Sequence, residues 1–312
     1  MRKLIESRLL EYFGLKSQPM YWSSVMENFK NDIVNAVKNN QLLTLSGAIG
    51  SGKSILFSTA VSTMPEVTFV YVRNYYKEHV TISSIINALI YGLSDENPRR
   101  DLEARSTQVI RLLGRYFVAQ GKLVCLVIEE AHRLHANTLR QIKELREAEF
   151  KGKSPLFSVI LLGHEELQAK LESRKEAYWR SQIMELNESN GWMTNQEREN
   201  YITHIYSRAI TAEACSRITS LCKTPLEIDY YIENKMKEAR KAGKKILDHE
   251  VVKPTAKELY ERNKNVISQR DIAKAINMSV TSVHDAINVD GHKLSPVVAD
   301  AIAKLSQHRK AV

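Results

Sequence analysis

Gly47-Ala48-Ile49-Gly50-Ser51-Gly52-Lys53-Ser54 directly follows the apolar run Leu42–Ser46 and leads, from Lys53 onward, into a stretch of helical pattern. A GxxxxGKS sequence between strand and helix makes a phosphate cradle for physical reasons. Its glycines allow a tight path on which backbone N–H groups converge, and the helix N-terminus adds a favourable dipole. Lys53 has the length to reach the β- and γ-phosphates, and the Ser54 hydroxyl is placed to ligate Mg²⁺. The predicted phosphate-loop set is Gly47, Gly50, Ser51, Gly52, Lys53, Ser54 and Ile55, and the cofactors it implies are ATP and Mg²⁺.

A loop of this kind needs an acidic element at the end of a neighbouring buried strand, and Leu123–Ile128 followed by Glu129-Glu130 supplies it. Glu129 stands where such ATPases usually hold Mg²⁺ through an Asp, so its longer side chain is a departure. Glu130 is placed to orient and deprotonate the attacking water. The other strand signals, Val67–Val72 and Phe157–Leu162, alternate with helical stretches from Ser83 and around Asn137–Glu149. Apolar strands without polar alternation, separated by helices, predict a mostly parallel sheet covered on both faces.

The 312 residues, 43% of them hydrophobic and 26% charged, suffice for a full α/β core with smaller appended units. A formal net charge of +9 favours a polyanionic partner. Cys125, Cys215 and Cys222 are odd in number and lack CxxC spacing, which argues against a disulfide framework or a zinc site of cysteines and favours a reducing cytoplasm. Charged residues interrupt Met1–Leu15, so a signal peptide is not expected there, and the longest apolar runs are too short to span a bilayer. The expectation is a cytoplasmic protein without a membrane partner.

Four blocks carry a family resemblance: Tyr12-Phe13-Gly14-Leu15, the phosphate loop, Ile128-Glu129-Glu130-Ala131-His132-Arg133-Leu134, and Leu161-Leu162-Gly163-His164-Glu165-Glu166-Leu167. Together they resemble the ExeA-like group of AAA+ ATPases, which includes the target-capture ATPases of Mu-like phages and related transposons. The resemblance runs from Leu10 to Glu250. It implies a sensor at His164, where family members more often carry Gln or Asn. It also implies an arginine finger offered to a neighbouring subunit, with Arg174 and Arg180 as the two candidates. The lid motif of the family usually reads Gly-x-Pro-Arg, whereas this chain has Lys223-Thr224-Pro225-Leu226. Without the lid arginine, and with Glu129 for Asp, the resemblance implies slow or partner-stimulated hydrolysis.

The predicted organisation is a nucleotide-binding domain over 1–190, a helical lid over 191–250 and a terminal helical unit over 258–312, with Asp248–Lys257 as a linker. The lid begins with Thr194 and Glu197 at capping-box spacing, and its last helix has Thr224 as N-cap and Pro225 at the first position. The segment Gln269–Asn288 resembles a Cro-like helix-turn-helix: Ala273 is small at the helix crossing, Asn277 suits a left-handed turn, and Ser279 suits an N-cap. If the second helix docks in a major groove, Thr281, Ser282 and His284 face bases, while Arg270 and Lys274 meet phosphates, with Lys293, Arg309 and Lys310 nearby. Thr and Ser are permissive readers, which favours largely sequence-independent double-stranded DNA. A protein-contact role for this unit stays open. The basic run from Lys235 to Lys245 reads either as a solvated helix end or as a DNA-tracking patch.

Two further readings stay open beside an ATPase that assembles on target DNA, as a ring or a helical filament, and delivers it to a transposase. One is an ATP-dependent transcriptional regulator. The other is a secretion-assembly ATPase, although the membrane and cell-wall segments such proteins carry are missing from this sequence.

Overall fold

The computed structural model describes residues 5–72, 80–172, 183–253, 256–265, 267–289 and 293–310, without the side chains of 262 and 307–310. In chain order the first compact unit, residues 1–246, contains α1 (Ser7–Tyr12), α2 (Ser24–Lys38), β1 (Leu42–Gly47), α3 (Lys53–Ser62) and β2 (Thr68–Tyr71). There follow α4 (Ile82–Leu93), α5 (Leu102–Gly114), β3 (Val124–Ile128), α6 (Ala136–Glu147), β4 (Ser158–Leu162), α7 (Glu165–Glu172) and β5 (Ile183–Leu186). Three helices close the unit in the region expected from the sequence to be a lid, and are called lid helices for that reason: α8 (Asn195–Tyr206), α9 (Ala212–Leu221) and α10 (Pro225–Lys241).

The five strands form one parallel sheet in the order β2-β3-β4-β1-β5. Every residue of β1, β3 and β4 is buried, which is why those segments read as mainly apolar without polar alternation, with Thr44, Ser46 and Ser158 as buried exceptions. Sequence patterning did not single out α2, α5 or the short, half-buried β5, whose Ile183 and Glu185 are only partly covered. Pairing sets Ile128 beside Leu161 and Leu45 beside Leu162, so the carboxyl ends of β3, β4 and β1 lie side by side.

The lid helices belong to the same compact unit as the sheet. Thr224 caps α10 as predicted, with Pro225 at its start, and it also forms a capping box with Glu227; α10 ends two residues before Gly243, which has a positive φ. Thr194 caps α8 as predicted, but Glu197 turns its carboxylate to the Tyr21 hydroxyl at 3.0 Å. The aromatic block near the N-terminus packs on the lid: Phe13 and Leu15 are buried, and Arg240 of α10 lies 5.6 Å over the Tyr12 ring. In the lid interior Asp229 is 1% exposed and accepts hydrogen bonds from Tyr201 Oη at 2.8 and 2.9 Å and from Tyr206 Oη at 2.7 Å. Gln18 Nε2 donates to the Tyr206 hydroxyl at 2.6 Å, tying the segment before α2 into the lid. Burial first, then Asp229, raises the Tyr206 pKa and keeps the phenol protonated as a donor.

Lys235 corrects the reading of a basic helix end. It is 1% exposed, pairs with Glu238 at 3.0 Å and lies 5.5 Å from the Tyr231 ring centroid, so it belongs to the interior of the lid. Lys237 is exposed and pairs with Glu233 at 2.6 Å, and Arg240, Lys241 and Lys245 are exposed as well.

The second compact unit, residues 247–312, contains α11 (Ala256–Asn263), α12 (Gln269–Ala275), α13 (Val280–Asn288) and α14 (Ser295–Lys310) around Ile267, Ile272, Val283, Ile287, Val298 and Ile302. Within the stretch expected as a linker, Val252 and Ala256 are fully buried, because both are apolar and the chain can cover them. No helix among the described residues is long and apolar enough to cross a membrane.

Replacing Asp229 by Ala is expected to lower unfolding free energy by about 2–4 kcal/mol, because two buried hydroxyls lose their acceptor at about 1–2 kcal/mol each. Urea denaturation measures it, and a loss below about 1 kcal/mol would show that the hydroxyls find other acceptors.

Candidate active site

The phosphate loop leaves the end of β1 and enters α3 through two left-handed positions, Gly50 at φ 79° and Gly52 at φ 96°. Gly52 is the N-cap residue of α3, where a side chain would strain the backbone. At Gly50 a Cβ would stand 2.4 Å from Leu226 Cβ, so the lid touches the loop at the place where only hydrogen fits. Lys53 Nζ folds back over the loop and donates to the carbonyls of Gly47 at 2.7 Å and Ala48 at 2.8 Å. Burial lowers the Lys53 pKa, while the nearby charges of Glu130 and Glu165 act to raise it. Ser54 is exposed on the first turn of α3, Ser51 is buried, and Ile55 lies beside them on the cavity wall.

Parallel pairing of β3 with β4 and of β4 with β1 brings the acidic element and His164 beside this loop. Glu129 is exposed at the end of β3. Glu130 has a left-handed backbone, φ 55° and ψ 36°, which reverses the chain and starts the short helical turn Ala131–Arg133. Lys170 of α7 secures that turn by donating to the carbonyls of His132 at 2.8 Å and Leu134 at 2.6 Å. His164 follows Gly163 after β4, with Nε2 3.6 Å from Glu130 Oε2. His132 Nε2 is 3.7 Å from the same oxygen, and the two imidazole rings lie 4.5 Å apart. Burial, then the neighbouring His164, holds the His132 pKa below its ordinary value.

A cavity of about 270 Å³ opens between the loop and the lid. One flank is apolar and aromatic: Trp22, Met26, Trp192, Met193 and Tyr201 line it, and the loop, Glu130 and His164 form the polar flank. Trp192 Nε1 donates to the Ser51 carbonyl at 2.9 Å and the indole packs edge-on against Phe29 at 5.2 Å. Leu226 N approaches the Gly50 carbonyl at 3.4 Å, so the residue standing where the family carries its lid arginine makes an apolar and backbone contact with the loop. Arg198 holds the entry into the lid in place: it is buried and donates to Glu188, the Met193 carbonyl and Asn195.

The structure therefore brings together Gly47, Gly50, Ser51, Gly52, Lys53, Ser54, Ile55, Glu129, Glu130 and His164 at one edge of the sheet. Arg174 and Arg180, the finger candidates, lie outside the described residues. Trp22, Trp192, Leu226, Glu165 and His132 are site neighbours that sequence reasoning did not assign. A tryptophan just before a lid capping signal was the one available clue.

In the second unit, α12 and α13 are joined by the turn Ile276–Ser279, with Asn277 at φ 54° and the Ser279 side chain accepting from Ser282 N. Arg270, Lys274, Thr281 and His284 are exposed, and the Ser282 hydroxyl is 2.8 Å from that of Ser279. Lys293 is exposed as well.

Residues 36–171 match the sequence profile of an AAA domain. No curated protein matches the chain in sequence. Among solved structures, the chain is similar to Cdc6p from Pyrobaculum aerophilum at 15% identity and a TM-score of 0.56, covering 98% of this chain and 85% of that one. It is similar to Drosophila ORC bound to DNA at 11% identity and a TM-score of 0.54, covering 97% and 78%. A third likeness is to the Aeropyrum pernix ORC2 protein in ADPNP and ADP complexes, at 11% identity and a TM-score of 0.50, covering 99% and 100%. At such identities the likeness is one of fold: the α/β unit on its five-stranded parallel sheet matches a P-loop AAA+ core, in agreement with the AAA domain profile over 36–171.

Proposed function

We propose that this chain is a Mg²⁺-dependent ATPase whose nucleotide state governs its hold on double-stranded DNA. The observation that carries the reading is the convergence of the phosphate loop, Glu130 and His164 beside an aromatic-lined cavity. The residues suit the ligand: two loop glycines leave no side chain in the cradle, Lys53 offers a cation, and Ser54 and Glu129 offer oxygen ligands to Mg²⁺. Bound Mg²⁺ would neutralise charge on the β- and γ-phosphates. Lys53 exchanges its two loop carbonyls for phosphate oxygens, Glu130 takes the proton of the attacking water, and His164 donates to the γ-phosphate or that water. The apolar flank at Trp22, Met26 and Trp192 receives the base and excludes water from it.

Hydrolysis is slow in this reading. The lid contributes Leu226 in place of an arginine, and the Lys223 backbone N–H is occupied with Glu227 at 2.8 Å. An arginine from a neighbouring subunit, Arg174 or Arg180, completes the site when copies assemble head to tail as a ring or filament. DNA is engaged by the α12–α13 pair through Thr281, Ser282 and His284, with Arg270 and Lys274 on phosphates, and the net charge of +9 supplies nonspecific attraction. One AAA+-like neighbour in fold is seen bound to DNA. With the ExeA-like resemblance, this supports delivery of target DNA to a transposase as the finer reading.

Lys53→Ala is expected to abolish ATP binding, and Glu130→Gln to keep binding while lowering turnover about 10²–10⁴-fold. Equilibrium nucleotide binding alongside phosphate release measures both, and unchanged turnover in Glu130→Gln would remove the base from this residue.

Binding to random-sequence duplex is expected to need ATP and to weaken steeply with salt. Joint Arg270→Ala and Lys274→Ala substitution should reduce the log–log salt slope by about 2. Nucleotide-independent binding to one defined sequence would favour a transcriptional regulator instead, and an unchanged slope would move the DNA contact elsewhere.

A further inference from the structure

Two imidazoles and a carboxylate meet at the end of β3 and β4. The left-handed backbone of Glu130 turns the chain so that Glu130 and His132 lie on one side, and His164 comes to them from the neighbouring strand. The Nε2 atoms stand 3.7 and 3.6 Å from one carboxylate oxygen, and ligand atoms of all three residues lie within 4.8 Å of one another. These separations exceed hydrogen-bond length, so the carboxylate is hydrogen-bonded to neither ring, although both rings and Arg133 Nε at 3.9 Å lie within ion-pair distance of it. The two Nε2 separations lie close to the roughly 3.3 Å between two ligands on a tetrahedral ion at about 2.0–2.1 Å.

The His132 side chain is 10% exposed, and both rings turn Nε2 toward Glu130, while their Nδ1 atoms are buried with no hydrogen-bond partner among the described residues and stay outside the proposed ligand set. A short turn pinned by Lys170 holds His132 in place, with its ring 4.5 Å from that of His164.

We infer that Glu130, His132 and His164 form a binding site for a transition-metal dication of the Zn²⁺ class, separate in ligand chemistry from the Mg²⁺ that accompanies ATP. Two neutral imidazoles with one carboxylate suit Zn²⁺, whereas Mg²⁺ selects oxygen and keeps its water. A bound water fills the remaining position. Occupancy takes the Glu130 carboxylate as a ligand and so stops ATP hydrolysis; that consequence, though not the site, rests on the proposed role of Glu130 as base.

The test uses the full, metal-free chain without nucleotide, in buffer containing excess Mg²⁺. Zn²⁺ is titrated in competition with a chromophoric chelator, and Co²⁺ is added separately for its visible spectrum. Expected are one Zn²⁺ site that Mg²⁺ does not displace and Co²⁺ bands of a low-coordinate nitrogen and oxygen site without thiolate charge transfer. His132→Ala and His164→Gln should each weaken Zn²⁺ by about tenfold or more, and His249→Ala should not. Circular dichroism confirms that each variant is folded, and His132→Asn replaces His132→Ala if the latter is not. Zn²⁺ binding that is absent, displaced by Mg²⁺, or equal in wild type and both histidine variants overturns the site. If Zn²⁺ loads the site and hydrolysis continues at the metal-free rate, the site stands and the base assignment of Glu130 fails.

Discussion

Adjacent parallel pairing of β3, β4 and β1 is the constraint on which the site depends. Parallel strands carry their carboxyl ends to one edge, and the order of this sheet makes three of those ends neighbours. Each end then delivers one element: Glu129 and Glu130 from β3, His164 from β4, and the glycine loop with Lys53 from β1. Backbone hydrogen bonds between the strands set the spacing of these groups before their side chains reach inward. Left-handed backbone at Gly50, Gly52 and Glu130 then aims the chain at that edge.

The lid is joined to this edge by two contacts of different kinds. Trp192 reaches the Ser51 carbonyl with its indole N–H, and Leu226 lies on Gly50. Behind them, Arg198 secures the entry into the lid and Asp229 gathers two tyrosine hydroxyls. A displacement of the phosphate loop is therefore felt at the start of α10, and a displacement of α10 is felt at the loop. The surfaces are apolar or backbone, so the coupling is set by shape more than by charge.

Much of this was legible in the sequence where one short segment carries its own physical reason. The phosphate loop, the acidic pair after an apolar strand, the caps at Thr194 and Thr224, and the turn at Asn277 and Ser279 are all local patterns. What stayed hidden depends on distant partners. Trp192 reads as ordinary packing until the chain folds it onto Ser51, and His132 and His164 lie on different strands' ends with no spacing to link them. Lys235 reads as a surface cation by type, yet Tyr231 and Glu238, one turn away on either side, cover and pair it. The half-buried β5 lacks the fully buried, mainly apolar run that marks β1, β3 and β4.

The contact between Leu226 and Gly50 reaches beyond the site itself. Positions 50 and 226 are far apart in sequence and share one small volume. A side chain at 50 would meet the Cβ of residue 226 at 2.4 Å and sit on a left-handed backbone, so a smaller residue at 226 that keeps a Cβ does not relieve it. The lid residue at 226 thus belongs, in heritable terms, to the glycine loop: position 50 is held to glycine, and any residue at 226 has to lie beside it.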